Sequence, residues 1–241
     1  ALLHGRGEYV VDDDQRADIG LAQQQVASLH GRLHQIASPT TIAEMTEALR
    51  EQINTNQPLR LIALSMGGMI ASDWMIRYPH EVAAAVLINT SARPFSPFYH
   101  RMRWTIYPQV IKMIVHSAQQ RETDILSLTS NRHSHDSKLL ECWKQWQRQN
   151  PVSNASARNQ FLAAAKFSIT AKPQQPVLII TSRADRLVVY RCSLKLAQTW
   201  GGDYRQHETA GHDLPLDEPE WLAQVIKQWF DSEINVKQAT M

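Results

Sequence analysis

Three residues carry side chains whose types suit bond breaking together: Ser65, Asp185 and His212. A serine hydroxyl is a poor nucleophile at neutral pH and needs a base within hydrogen-bond reach. His212 sits in Ala210-Gly211-His212-Asp213, a glycine-hinged stretch. An imidazole there can accept the hydroxyl proton and return it to a leaving group. Asp185, in Ser182-Arg183-Ala184-Asp185, supplies a carboxylate that can hold the imidazole tautomer and stabilise the imidazolium. Around Ser65, small residues recur two positions before and after, Ala63 and Gly67. That is the spacing of a G-x-S-x-G turn with alanine in the first glycine position. A strand turning sharply into a helix strains the serine and exposes its Oγ. It also leaves the Met66 backbone N–H at a helix start, where partial positive charge can meet an oxyanion.

Other residues compete for these roles. His207 falls inside a short strand pattern, which makes it structural or surface-facing. Asp213 neighbours His212 directly and points the wrong way for an orienting bond. Asp217 reads as an N-cap for the last helix. His133-Ser134-His135-Asp136 has a faint metal-ligand look but lies in a polar loop without further ligand spacing. No metal and no cofactor is expected.

The elements that must position the three residues follow from apolar periodicity. Leu59 to Leu64, Ala83 to Ile88 and Pro176 to Ser182 are short apolar runs that predict buried strands. Ala1 to His4 predicts a strand ending in Gly5-Arg6-Gly7, where the N–H after a glycine can point into a site. Val26 to Leu29 and Asp203 to His207 predict two more. Helices are predicted over Ala17–Gln25, Ile42–Ile53, Met66–Tyr78, Tyr190–Thr199 and Glu218–Phe230, with a frayed tail from Ser232. Thr41 and Glu44 have capping-box spacing at the second of these helices. Strands alternating with helices imply a mostly parallel sheet with helices on both faces. Functional residues then gather beyond the carboxyl ends of the strands, where Arg6, Ser65, Asp185 and His212 all fall.

The stretch from about Ala92 to Lys172 differs. It holds no good strand and predicts four helices: Pro97–Tyr107, Gln109–Thr129, Ser137–Gln149 and Ser156–Phe167. Its aromatics, including Phe98, Trp104 and Phe161, are assigned mainly to helix packing. It is also basic. Residues 93–172 hold twelve Lys or Arg against four Asp or Glu, a balance of +8. The whole chain is +2, so the remainder carries 2 − 8 = −6. A net charge this small does not by itself imply a nucleic-acid partner, and none is expected. No apolar run approaches the roughly 20 residues of a membrane span. No signal peptide is visible, and the two cysteines, Cys142 and Cys192, read as buried small residues of a reduced cytosol. A cytoplasmic location is expected.

The order Ser65, Asp185, His212 along the chain is that of the α/β-hydrolases. The chain resembles that superfamily through His4-Gly5-Arg6-Gly7, Ser65-Met66-Gly67-Gly68-Met69, Tyr78-Pro79-His80-Glu81-Val82-Ala83, Asn89-Thr90-Ser91, Ser182-Arg183-Ala184-Asp185-Arg186-Leu187-Val188 and Ala210-Gly211-His212-Asp213. It is most similar to small bacterial esterase-type members with a helical cap, a group that includes pimeloyl-carrier-protein methyl ester esterases. The resemblance implies Ser65 as nucleophile, His212 as base and Asp185 as acid. It implies oxyanion donors at the Arg6 and Met66 backbone N–H groups. It divides the chain into a core, 1–91 and 173–241, and a helical cap, 92–172. The sequence departs from the family at 28–33, which lacks the usual Asp-x-Pro-Gly-x-Gly-like loop, and lacks the opening hairpin before His4. A sheet of about six strands is therefore expected. The implied activity is hydrolysis of a carboxylic ester through an acyl-enzyme. A thioesterase, lactonase, C–C bond hydrolase or cofactor-free haloperoxidase would use the same three residues, and a non-catalytic binding protein would keep only the scaffold. The expected partner is a small acyl ester, anionic or carried on an acidic carrier protein in view of the basic segment.

Overall fold

The parallel sheet is present and, among the described residues, has six strands in the order β2-β1-β3-β4-β5-β6. This is a computed structural model that describes residues 2–4, 26–28, 38–53, 57–149 and 151–239. In chain order the elements are β1 (Leu2–His4), β2 (Val26–Ser28), α1 (Ile42–Arg50), β3 (Leu59–Leu64), α2 (Met66–Arg77) and β4 (Val82–Ile88). Five helices follow: α3 (Phe98–Arg101), α4 (Tyr107–Val115), α5 (Ala118–Thr129), α6 (Ser137–Gln149) and α7 (Asn154–Lys166). The chain then returns to β5 (Val177–Ser182), α8 (Arg191–Trp200), β6 (Asp203–His207), α9 (Leu214–Asp217) and α10 (Pro219–Ala239). Every neighbouring pair of strands runs parallel. The predicted helix over Ala17–Gln25 and the Gly5-Arg6-Gly7 turn lie outside the described residues.

Strand alternation divides the interior into two cores. Leu61, Ala63, Ala85, Leu87 and Ile179 face one side and pack with Met45 and Leu49 of α1, Ile70 and Trp74 of α2, and Trp200 of α8. Leu64, Val86, Ile88, Leu178 and Ile180 face the other side and meet Leu222, Ile226, Trp229 and Phe230 of α10. Both faces of the central strands are therefore covered, which is why they read as unbroken apolar runs rather than alternating ones. The order matters for the site. In the strand order β2 lies to one side of β1, while β4 lies to the other side of β3, so the connections lead away from each other along the sheet. The crevice between such diverging connections is where open α/β sheets bind ligands, and Ser65 follows β3 directly.

The capping box at α1 forms as predicted. The Glu44 N–H donates to Thr41 Oγ1 at 3.2 Å, and the Thr41 N–H donates to Glu44 Oε2 at 3.1 Å. Several boundaries differ from the sequence reading, for identifiable reasons. The helix expected over Pro97–Tyr107 breaks after Arg101 and resumes as a 3-10 turn, Trp104–Ile106. Its backbone is used elsewhere: the Arg103 N–H donates to Leu187 O at 2.9 Å, and His100 O accepts from Val189 N at 2.9 Å. The helix expected over Gln109–Thr129 splits at His116, because Ser117 caps a new start by accepting from Gln120 N. The last helix continues to Ala239, well past Phe230. Cys142 is exposed rather than buried, and Cys192 is buried. Phe98 and Trp104 are 72% and 69% exposed, so they do not pack helices together. The segment between β4 and β5 starts and finishes side by side, with Ile169 N donating to Arg93 O at 2.8 Å. Among the described residues no helix is long and apolar enough to cross a membrane.

The close approach that requires a glycine after Ser65 is at Gly68. A Cβ there would stand 2.7 Å from both Thr90 Cβ and Thr90 Oγ1. Thr90 Oγ1 donates to Ser65 O at 2.8 Å, so it cannot move away without releasing the turn. Gly68→Ala is expected to destabilise the protein by about 1–3 kcal/mol. Urea unfolding checks this, and a variant as stable as the parent would show that α2 has room to retreat.

Candidate active site

Ser65 stands where β3 ends and α2 begins, with φ 53° and ψ −114°. Positive φ is strained for a residue with a Cβ. The strain is held by neighbours. The Ser65 N–H donates to Ile88 O at 2.8 Å, while Ser65 O accepts from Gly68 N at 3.0 Å and from the Thr90 hydroxyl. The side chain makes no capping bond to its own helix. Met66 is the first helical residue, and the first N–H groups of a helix have no partner within it. The first turn of α2 carries no acidic residue that would offset this positive end.

His212 and Asp185 come together from the loops after β6 and β5, 27 residues apart in the chain. Both residues are buried, 4% and 2% exposed, and His212 Nδ1 lies 2.7 Å from Asp185 Oδ2. The second oxygen, Asp185 Oδ1, accepts from Leu187 N at 2.7 Å and Val188 N at 2.9 Å. These bonds fix the carboxylate rotamer and leave one oxygen for the ring. Burial on its own would lower the His212 pKa, because it disfavours the cation. The Asp185 charge, the hydrogen bond to it and the Asp213 charge outweigh burial, and the pKa is raised.

The direction of that shift has a consequence for pH dependence. Where neutral His212 serves as base, activity rises as pH rises through its pKa, so the acid limb of kcat/KM lies above the ordinary 6.5. Its protonated form also favours folding, a contribution present at low pH and lost as pH rises through the raised pKa. Asp185→Asn removes the main raising influence and leaves burial, so the His212 titration is expected to fall below that of the parent. An NMR titration of the His212 ring reads this directly. An unchanged midpoint would mean that Asp185 does not govern the ring.

Two residues given no part in the site by the sequence reading hold this arrangement. Asn89, with φ 46°, follows β4. Its Nδ2 donates to His212 O at 2.8 Å and to Ser182 Oγ at 3.1 Å, and its Oδ1 accepts from Ser182 N at 2.7 Å. Asp217 is a correction. It is not the N-cap of α10 but a buried carboxylate in α9. It accepts from Ser130 Oγ at 2.5 Å, Gly211 N at 2.6 Å and Asn131 N at 2.9 Å. Asn131 Nδ2 donates onward to Thr209 O and Ala184 O, and Asp213 N donates to Thr129 O. The turn after α5 is thus tied to both the Asp185 loop and the His212 loop. Gly211 sits in the tightest part, where a Cβ would lie 2.4 Å from Thr129 O.

The remaining candidates fall elsewhere. His207 Nδ1 accepts from Ala210 N at 3.1 Å, and its ring packs on Trp221. That is a structural placement. His133 pairs with Asp136, and its N–H donates to Ser130 Oγ. Arg6 lies outside the described residues. Asn89 was visible only as one of three polar residues after a strand, and Asp217 only as an acid before a helix. The Asn89 partners lie 93 and 123 positions away, and two of the three Asp217 partners lie 86 and 87 away, distances that local pattern does not reveal.

A six-stranded parallel sheet, a serine at a strained strand–helix turn and a buried Asp–His pair define an α/β-hydrolase. The sequence profile of the family Hydrolase_4 (serine aminopeptidase, S33) matches residues 38–219, most of the chain, and the protein belongs to this α/β-hydrolase family. Solved structures agree on the fold. An esterase from Thermogutta terrifontis aligns with TM-score 0.66 and 19% identity, covering 96% of this chain and 88% of that one. The enol-lactonase from Burkholderia xenovorans LB400 aligns with TM-score 0.66 and 17% identity, covering 82% and 75%. BpoC, a non-heme bromoperoxidase by its description, from Mycobacterium tuberculosis H37Rv, aligns with TM-score 0.60 and 23% identity, covering 81% and 76%. In sequence, the chain is 35% identical over 85 residues to homoserine O-acetyltransferase of Pelobacter propionicus, a match spanning 32% of this chain and 23% of that enzyme. The family assignment rests on the sequence profile, and the solved structures show the fold.

Proposed function

We propose that the protein hydrolyses carboxylic esters through an acyl-enzyme on Ser65, with His212 as general base and Asp185 as its orienting acid. The observation that carries the reading is the buried His212–Asp185 pair at the same sheet edge that presents Ser65 in positive-φ geometry. With Nδ1 engaged by Asp185, Nε2 is the nitrogen left to take the serine proton. Ser65 Oγ attacks the ester carbonyl carbon as Nε2 accepts its proton. The Met66 N–H at the head of α2 stabilises the oxyanion, and the Arg6 N–H is its proposed second donor. Collapse returns the proton from His212 to the departing alcohol and leaves the acyl group on Ser65. Water, activated by His212, then releases the acid.

In this reading residues 92–172 form a cap over a core made of 1–91 and 173–241, and the acyl group lies beneath it. The basic balance of 93–172 favours an anionic ester or an acidic carrier protein. Free thiols at Cys142 and Cys192 suit a reducing, cytoplasmic setting.

The experiment is a series of p-nitrophenyl esters from acetate to decanoate, with a fluorophosphonate probe in parallel. The expected result is turnover with an early burst of p-nitrophenol, and probe attached to Ser65. The preferred chain length measures the acyl pocket. A panel of thioesters, lactones and C–C substrates separates the ester reading from the others that share its residues. Absence of both turnover and labelling would overturn the reading in favour of a binding protein.

A further inference from the structure

A second feature lies beside Asp185. A cleft of about 490 Å³ opens between the loop after β5 and helices α4 and α5. Arg103, Thr105, Gln109, Ser127, His135 and Arg186 line it, together with Asp185. Neither Ser65 nor His212 does. The lining is rich in donors and carries two guanidinium groups. Its one carboxylate is already committed, since both Asp185 oxygens accept from Leu187 N, Val188 N and His212 Nδ1.

Arg103 is the telling residue. Its Nε is buried and has no hydrogen-bond partner among the described residues. A buried N–H of a cation without an acceptor is costly, and such groups in folded proteins are nearly always paired. The root of the side chain is fixed, because the Arg103 N–H bonds Leu187 O on the acid loop. Arg186, also in the lining, donates from Nη2 to Ser130 O at 2.6 Å, its one side-chain hydrogen bond among the described residues. A guanidinium fork matches the two oxygens of a carboxylate or phosphate better than any neutral group. The volume falls in the range of small-molecule sites, larger than a bare ion needs.

We propose that this cleft is an anion-binding site for a carboxylate or phosphate group on a small organic molecule, with Arg103 as its inner donor and Arg186 as its outer one. The anion has two sources: the far end of the substrate itself, or a separate small acid that binds beside the Asp–His pair. The first source deepens the function proposed above and rests on it. The binding claim does not.

The test has two arms on the full chain. In the first, glutarate and inorganic phosphate are titrated calorimetrically into Ser65→Ala protein, which cannot turn over. Saturable binding is expected, weakened about tenfold or more by Arg103→Gln and also reduced by Arg186→Gln. Lys112→Gln removes the same charge from α4 outside the cleft and is expected to leave binding unchanged. Absent saturable binding, or affinity indifferent to both arginine variants, overturns the proposal. So does equal loss in Lys112→Gln, which would mark unspecific charge. Thermal melts of each variant confirm that it is folded, and Arg103→Lys keeps the charge without the fork if glutamine unfolds the chain.

The second arm compares a p-nitrophenyl hemiester of glutaric acid with neutral p-nitrophenyl butyrate. If the anion is the substrate's own, Arg103→Gln raises KM for the hemiester by about tenfold and leaves the butyrate KM alone. If it is a separate acid, both esters respond alike, and phosphate changes the butyrate kinetics in the parent but not in Arg103→Gln. A protein that binds glutarate through Arg103 yet hydrolyses no ester would refute the proposed function and retain the site.

Discussion

Ser65→Ala is expected to reduce kcat on p-nitrophenyl acetate by roughly a thousandfold or more while leaving the fold in place. The two halves of this expectation come from different atoms. The turn is built by the backbone: Ser65 N on Ile88 O, and Ser65 O on Gly68 N and the Thr90 hydroxyl. The side chain caps nothing, so deleting Oγ removes no structural bond of the turn. Serine and alanine pay similar strain at φ 53°, since both carry one Cβ. What disappears is the proposed nucleophile. Residual rate would then come from the Met66 N–H and substrate binding alone. Rates and thermal melts of both proteins check it. A variant that keeps the parent's turnover would show that another group attacks the ester, and one that unfolds would show that the hydroxyl is structural.

Asp217→Ala is expected to be the most damaging substitution outside the three proposed catalytic residues. It removes one buried carboxylate and strands the Ser130 hydroxyl and the N–H groups of Asn131 and Gly211. Each abandoned buried donor costs on the order of 1–3 kcal/mol, so a loss of about 3 kcal/mol or more in urea is expected. Activity is expected to fall further than stability explains, because Gly211 immediately precedes His212. Asp217→Asn keeps one acceptor and is expected to fall between. Its amide would bring a donor toward groups that are themselves donors. A change below about 1 kcal/mol for the alanine variant would mean that water replaces the carboxylate, and the tie between the α5 turn and the histidine loop would not be structural.

Sheet and site were unequally legible in the sequence. Strands β3, β4, β5 and β6 were visible because covered parallel strands are short apolar runs or alternations between turn signals. The α1 cap was visible because Thr41 and Glu44 are only three residues apart. Ser65 and the pairing of His212 with Asp185 were reachable because each residue type has few chemical uses at a strand end. The rest depends on tertiary partners. The break after Arg101 follows from Leu187 and Val189 taking backbone bonds, which no pattern in 97–107 announces. Asp217 looks like a cap until Ser130 and Asn131 arrive from 86 to 87 residues earlier. The Arg103 cleft needs three separate segments to exist, so composition gave only its basic tendency.

One feature of β4 bears on how the site tolerates thermal motion. Three consecutive residues, Ile88, Asn89 and Thr90, hold Ser65 through its N–H and carbonyl and hold His212 through its carbonyl. Serine and histidine are therefore indexed to one short datum rather than to each other. A displacement of the strand end carries both in the same direction and leaves their separation nearly unchanged. Only differential motion, between the two residues and that datum, disturbs the alignment. The bonds that resist it are neutral backbone and amide contacts, which persist across pH and salt when the Asp185–His212 charge pair does not.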